Sequence, residues 1–537
     1  MAILVRNIRL ELDEPEERLV ERAARRLRVP VTAIRQYAPV RRSVDARRRD
    51  EIHLVYHVEL VLDESPKAEQ ARARRSGLAG VEVIRAEPPE AVRPGRRPLS
   101  ERPVVIGFGP AGLFAALRLA EWGYRPIVLE RGRAVRRRHF DVMKRYYRDH
   151  DFDPASNLLF GEGGAGTYSD GKLYTRVNDP MVRTVLEWFF RDGAAPAILI
   201  DARPHVGSDR LPTICTRMRQ RIERSGGEVR FESRVEDFEL VDGRLTALRV
   251  NGSRMPVGPV ILAIGHSARD TIRTLAARGV RLDAKPFQIG VRIEHPQRLV
   301  DRWQYGSLAG HPRLPPAEYH LVAKSAAAGS DLFSFCMCPG GVILPTNESP
   351  GLVSTNGASP SSRRGRFANS GLVITVTPEH AGGDALSGLV LQERWERRAF
   401  EATHGTYRVP AQRACDFLAG TPSAGVLETS FPLGGSWTHV RDVVPREVVA
   451  ALERGLPILD ARLPGFCGPD AVITAPETRA STPIRITRDP RSRLAVGIDG
   501  LYPTGEGAGY AGGIVSAAID GLRTANRLIS VYAPPDR

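Results

Sequence analysis

A chain of 537 residues, 42% of them hydrophobic, is long enough to build two or three domains with proper cores. Charges break up the N-terminal stretch MAILVRNIRLELDEPEERL at once and no apolar run reaches bilayer length, so neither a signal peptide nor a membrane span is expected and the cytoplasm is the expected compartment. The net charge of +15 raises the question of a nucleic-acid partner, but the basic runs at 41–50 and 133–139 lack interleaved aromatics, and much of the chain's charge alternates with Glu and Asp on helical faces, which argues against one.

The first hundred residues read as a unit of their own. Alternation in IRLEL, a helix opened by LDEPEERL with Leu19, Ala23 and Leu27 four apart, and period-two IHLVYHVELVL at 52–62 predict strand, helix, strand. A strand near Ile34 to Val40, a helix over Lys67 to Arg75 and a last strand at Val81 to Ile84 complete a ferredoxin-like β-α-β-β-α-β arrangement over 1–88. Five prolines between 86 and 103 then mark an exposed linker, placed at 89–102.

VVIGFGPAGLFAALRLAEWGYRPIVLERG, residues 104–132, follows. Gly107, Gly109 and Gly112 hold the positions for a tight turn, for backbone access to a pyrophosphate and for close packing of helix on strand. The helix starting near Pro110 and Ala111 points its amides and positive dipole end at that pyrophosphate. Glu130 ends the second strand where a ribose-binding acid belongs, and its charge disfavours a 2′-phosphate. This much leaves NAD and FAD both open. The choice of FAD comes from two later segments. GPVILAIGHSARD (258–270) is a buried strand whose end at Ala263 and Gly265 suits a backbone approach to the cofactor. GLYPTGEGAGYAGGIVSAAIDGLRTA (500–525) is a strand ending at Gly505 and Glu506, a glycine turn, and a helix from Gly512, Gly513 and Ile514. Such an acid bonds a ribityl chain, and such a helix end favours the reduced isoalloxazine edge.

GFGPAGLFAA, GEGGAGTYSDGKLYTR (161–176), HVGSDRL (205–211), AIGHSARD, GVRIEHPQ (290–297), FCMCPGG (335–341), ETRASTPIRI (477–486) and GEGAGYAGGI together resemble the bacterial FAD-dependent dehydrogenases of largely unassigned substrate. These are similar in cofactor fold to glutathione-reductase-type flavoproteins. The resemblance covers nearly the whole chain. It implies one bound FAD and an α/β fold in which a Rossmann-like FAD-binding domain (103–284 and 471–537) is interrupted by a mixed substrate domain (285–470). It further implies that Gly164, Gly166, Thr167, Ser169, Asp170 and Lys172 line the flavin, that Arg131 follows the ribose acid into the site, and that Val235 meets adenine through backbone or is plain core. Many such flavoproteins carry Asp where this chain has Glu506.

The glycine spacings at 161–166 and 507–512 belong to segments already assigned to the flavin, and no further G-x-G-x-x-G follows a strand, so either a small-molecule substrate reduces the flavin directly or NAD(P)H docks without its own Rossmann domain. Lys172 and His266 are the candidate catalytic residues, one as a cation at the reduced flavin or on an anionic substrate, the other as a proton donor or acceptor. Cys336 and Cys338 form either a dithiol or inert thiols in a tight turn, and Arg479 either clamps a carboxylate or pairs with Glu477 or a neighbour. Five cysteines make no disulfide framework, and no metal site is expected. The leading function is an FAD-dependent oxidoreductase; an FAD-dependent RNA-modification enzyme and a noncatalytic flavin redox sensor are the alternatives.

Overall fold

The computed structural model describes residues 2–49, 51–64, 80–84, 92–175, 177–324 and 330–535. The helix expected over 67–75 lies outside them. The N-terminal strands Ala2–Glu11, Ile34–Asp45, His53–Leu62 and Val81–Ile84 form one antiparallel sheet in the order second, third, first, fourth. This is the ferredoxin-like order. Helix Arg18–Leu27 turns Leu19, Ala23, Ala24 and Leu27 onto it. The second strand runs five residues beyond Val40, because Val44 and Asp45 still pair with Leu54 and His53 across the hairpin. Pro39, which has no amide to donate, is tolerated because this strand is at the sheet edge.

The stretch after it is less free than its prolines suggest. Gly95 donates to the Ile529 carbonyl and Arg97 to that of Val531, while Ala533 donates back to Arg97. Residues 95–97 are thereby laced to the end of the C-terminal helix.

Five short strands form the central parallel sheet, in the order Leu501–Pro503, Val260–Leu262, Val104–Ile106, Ile127–Leu129, Glu228–Arg230. The residues of the first four are all buried, as a parallel sheet covered on each side requires, while the edge strand Glu228–Arg230 is partly exposed. Helices Pro110–Glu121 and Ile514–Val531 pack side by side on one face, with Gly521 against the Ala111 backbone. An antiparallel meander, Val235–Val241, Arg244–Val250 and Ser253–Pro256, lies towards the other face with helix Arg269–Ala277 against it.

Between Leu262 and Leu501 the chain leaves this sheet and builds a second, mixed one of seven strands, drawn from residues 322–477 and from Phe287–Pro296. Strand Phe367–Val376 pairs along the whole of Phe287–Pro296, and Leu332–Cys338 adds on its far side. The serine- and arginine-rich stretch at 354–371 supplies strand ends at both sides and a turn between them. The fold is thus an α/β Rossmann-like architecture interrupted by a mixed sheet and preceded by a ferredoxin-like one.

Candidate flavin site

Strands ending at Ile106, Leu262 and Pro503 are parallel neighbours in register, so the loops that follow them emerge side by side at the carboxyl edge of the sheet. That edge is where open α/β sheets bind nucleotides. Gly107 makes the turn with a φ of +92°, and a Cβ there would lie 2.4 Å from the Ala263 carbonyl oxygen. A Cβ on Gly112 would strike the Gly107 oxygen at 2.0 Å. Gly109, by contrast, faces nothing nearer than the Gly164 Cα at 3.8 Å, and it caps the helix without a side-chain hydrogen bond. The amides of Ala111 and Gly112 open this helix, and Pro110 at its first position has none to donate.

Glu130 is buried and organises the turn. Its Oε2 accepts from the Phe108 amide at 2.9 Å and its Oε1 from the amides of Gly132 and Gly161, each at 2.9 Å. A carboxylate has about four acceptor positions, so three amides leave one for a ribose hydroxyl. Arg131 does not reach into this space. Its guanidinium lies 4.4 Å over the Phe160 ring and bonds Asp270 and Thr271. Val235 sits in the core, paired with Val250.

The glycine-rich loop closes over the same helix end. A Cβ on Gly164 would lie 2.8 Å from the Gly109 Cα and one on Gly166 3.1 Å from Pro110 Cγ. Thr167 Oγ1 donates to the Glu162 carbonyl and Ser169 Oγ to that of Gly166, so both hydroxyls brace the loop itself. A residue that the sequence hid holds it from beneath. Arg138, in the basic run at 133–139, is fully buried and donates to the carbonyls of Asn157, Glu162 and Gly164 at 2.7 to 2.8 Å. Its neighbours in the run, Arg136 and Arg137, are exposed, and run composition alone carries no signal that separates them.

At the third strand end, Gly505 donates its amide to Asp520, itself clamped by Arg488 and Arg493. Glu506 follows, partly buried, with its carboxyl pushed up to about 7 by burial, against which the Lys285 charge and the Gly513 amide pull. Helix Ile514–Val531 starts at Gly513 without a side-chain cap, and Cβ atoms built on Gly265, Gly512 and Gly513 would meet nothing within 4 Å. Two uncapped helix ends, a carboxylate with a spare acceptor position, a half-satisfied second acid and this open lane suit a dinucleotide carrying an isoalloxazine.

Comparison with known proteins agrees. Residues 286–480 match the family described as FAD-dependent protein, C-terminal domain-like, and residues 2–61 match a domain of unknown function, DUF8436. An uncharacterized protein of Clostridium beijerinckii is 39% identical over 538 residues, covering 100% of both chains. The chain belongs to this FAD-dependent protein family. It is a FAD-dependent oxidoreductase. A 201-residue stretch is 29% identical to gamma-glutamylputrescine oxidoreductase of Escherichia coli, over 32% of this chain and 44% of that one. Among solved structures, L-proline dehydrogenase from P. horikoshii is 10% identical (TM-score 0.37, covering 80% of this chain and 93% of that one). Glycine oxidase from Bacillus cereus is also 10% identical (TM-score 0.33, 80% and 97%). Neither bears on the substrate.

In this FAD-dependent protein the candidate catalytic residues occupy different settings. His266 follows Gly265 directly, with Nδ1 2.7 Å from Ser267 Oγ. Burial, and after it the charges of Arg479 and Arg269, bring its pKa down to about 4, so the ring is neutral at pH 7. Arg479 pairs with Glu348 and Glu396, not with Glu477, and Arg269 shares both acids. This buried knot ties the loop behind His266 to helix Ser387–Ala402 and to the segment after strand Val472–Glu477.

Lys172 is not a surface lysine. Its ammonium lies 2.8 Å from Asp170, contacts the Met337 carbonyl oxygen, and sits 3.8 Å from Cys336 Sγ and 3.7 Å from Cys338 Sγ. Burial opposes ionisation of Asp170, but Lys172, His205 and Arg363 outweigh it and hold the carboxyl far below its usual range. A cavity of about 800 Å³ opens at the end of the seven-stranded sheet beside Pro296, Phe367 and Val472, and Arg363 in its wall lies 3.8 Å from Asp170. Among the described residues no helix is long and apolar enough to cross a membrane, and no group of three or more His, Cys, Asp or Glu is placed to hold a metal.

Proposed function

We propose that this oxidoreductase takes a hydride from a small organic substrate that meets the flavin directly, with a separate molecule reoxidising it. The observation that carries the reading is the single set of strand ends at Ile106, Leu262 and Pro503. The two further G-x-G-x-x-G spacings, at 161–166 and 507–512, lie in loops at this same set of strand ends, so neither offers NAD(P)H a place of its own.

Bound FAD supplies the two-electron acceptor. Glu130 and the amides at the start of helix Pro110–Glu121 hold its ribose and pyrophosphate, and Glu506 with Gly512, Gly513 and Ile514 holds the ribityl chain and ring edge. His266, neutral and with Nδ1 engaged by Ser267, offers Nε2 as a proton acceptor for a substrate OH or NH. Lys172, whose charge is stabilised by the thiols and Asp170 despite burial, is a permanent cation that favours negative charge nearby. Nothing here adds to the RNA-modification reading: Arg42 bonds Asp201, Arg47 bonds Asp45 and Arg48 bonds Glu51, so much of the basic run is already paired.

Anaerobic mixing with panels of amines, amino acids and hydroxy acids tests this. Bleaching of the flavin band by one class, saturable and lost in His266→Ala, is the expected result. Rapid bleaching by micromolar NADH or NADPH with none by any organic substrate overturns it.

A further inference from the structure

Strand Leu332–Cys338 slips in its pairing with Phe367–Val376 between Phe335 and Cys338. The extra residue puts Cys336 at a φ of +44°, in the left-handed region that side chains other than glycine seldom adopt. The consequence is local and chemical: both sulfurs come to one ammonium, at 3.8 and 3.7 Å from Lys172 Nζ. Arg292 donates to the Cys336 carbonyl, and Cys338 Sγ lies 3.2 Å from the same oxygen.

The fixed charges around the pair do not cancel. Lys172, Arg292 and Arg363 are cations, Asp170 and Glu477 are the facing carboxylates, and Tyr174 and His205 complete the titratable surroundings. One positive charge is left over, and one thiolate balances it. The two residues are also unequal in exposure, since Cys336 is partly exposed and Cys338 is buried. Strain in the backbone of a partly exposed cysteine beside a buried one, under a buried lysine, is not what inert packing thiols need.

We propose that Cys336 and Cys338 are a redox-active dithiol, with Cys336 the attacking thiolate and Cys338 the resolving thiol, acting on small disulfides. Cys336 Sγ attacks one sulfur of a disulfide; a bond forms between them and the other sulfur leaves as a thiolate that takes the proton of Cys338. Cys338 Sγ then attacks Cys336 Sγ and expels the second thiolate, which takes a proton from water, replacing the one Cys336 had already released. Two thiols are oxidised to an internal disulfide, and one external disulfide is reduced to two thiols. A ring closed over one intervening residue is strained and easily reopened, which suits exchange and not structural stapling. The charge distribution supports the order of attack. The hydrogen bond from Cys338, followed by Lys172 and Arg292, outweighs burial and brings Cys336 down to about 5, whereas burial drives Cys338 well above the ordinary thiol value. Burial likewise raises Cys215 and Cys467 to about 12 and shifts Cys415 upward, so three internal controls come with the chain.

The test uses full-length, FAD-loaded protein and reads mass, not flavin reduction, so it stands apart from the hydride-transfer reading. Iodoacetamide at about pH 6 should alkylate Cys336 at least tenfold faster than Cys215, Cys415 or Cys467, and Lys172→Met should slow it about tenfold, with the pH midpoint of the reaction moving up. Glutathione disulfide should remove two hydrogens from the peptide that carries both cysteines, and in Cys338→Ser it should stop at a stable glutathione adduct on Cys336. If Lys172→Met fails to fold, the wild-type pH profile and the adduct decide alone. Cys336 alkylated no faster than Cys415, or alkylated fast with no internal disulfide under glutathione disulfide, overturns the proposal.

Discussion

Arg292 and Glu477 form a two-pronged ion pair with no solvent exposure, 2.6 Å from Nε and 2.7 Å from Nη2. The pair joins strand Phe287–Pro296 to strand Val472–Glu477, and Arg292 reaches further to Asn369 at 2.7 Å. Removing one partner strands the other charge in the core, at a cost of roughly 3 to 5 kcal/mol. Arg292→Met should therefore lower the thermal midpoint of the FAD-loaded protein by several degrees, and the double variant Arg292→Met/Glu477→Met should recover a good part of the loss. Circular-dichroism melts check both. A single variant that melts with wild type contradicts the pair's structural weight.

Glu130 holds three amides from three separate stretches of chain: Phe108 in the glycine turn, Gly132 just after it, and Gly161 at the start of the glycine-rich loop. Glu130→Ala leaves all three without an acceptor and removes the proposed ribose contact. With a hydrogen bond to a charged group worth roughly 1.5 to 3 kcal/mol, FAD affinity should fall on the order of tenfold to a hundredfold. The variant should purify with little bound flavin, and fluorescence titration with added FAD measures the loss. Full retention of flavin through gel filtration would place the ribose elsewhere.

Burial raises the Glu506 carboxyl from an ordinary 4.5 to about 7 in the folded chain. The folded state therefore holds a proton that the unfolded state gives up between those values. Stability from this group is full below about pH 4.5 and is lost as pH rises through 7. Glu506→Gln, which cannot ionise, should melt at a midpoint less dependent on pH between 5 and 8 than wild type. Differential scanning calorimetry across that range is the measurement, and parallel slopes for the two proteins sink the assignment.

The flavin cradle was legible in the sequence because its parts are local. Gly107, Gly109, Gly112 and Glu130 obey a fixed spacing, and the turns at Gly265 and Gly505 each follow a short buried strand, so only their adjacency awaited the sheet order. Elsewhere, what mattered was contact between residues far apart in the chain. Lys172 meets Cys336 and Cys338 across more than 160 residues, and Arg479 passes over Glu477, two positions away, for Glu348 and Glu396. The strand ends at Glu477, so no strand geometry holds Arg479 beside it, and Glu477 is taken by Arg292 on the adjoining strand. Arg138 is a third case: its neighbours in a basic run are exposed, and only three carbonyls 19 to 26 residues away explain its burial.

Lys172 is also the residue through which the thiol pair and the flavin are expected to communicate. Its loop touches Pro110 through Gly166 at one end and both thiols through Nζ at the other. A permanent cation on this loop is expected to favour the anionic reduced flavin, so Lys172→Met should keep FAD, whose proposed pyrophosphate and ribose contacts are at Gly109 to Gly112 and Glu130, but be harder to reduce. A charge-assisted contact of roughly 1.5 to 3 kcal/mol, lost only in the reduced state, lowers the two-electron midpoint by about 30 to 60 mV. Blocking Cys336 with iodoacetamide in wild type separates the two effects: alkylation leaves the ammonium in place, so the midpoint should move much less than in the lysine variant. Xanthine oxidase-driven titrations against redox dyes measure all three proteins, and equal midpoints in wild type and Lys172→Met rule the lysine out as a partner of the flavin.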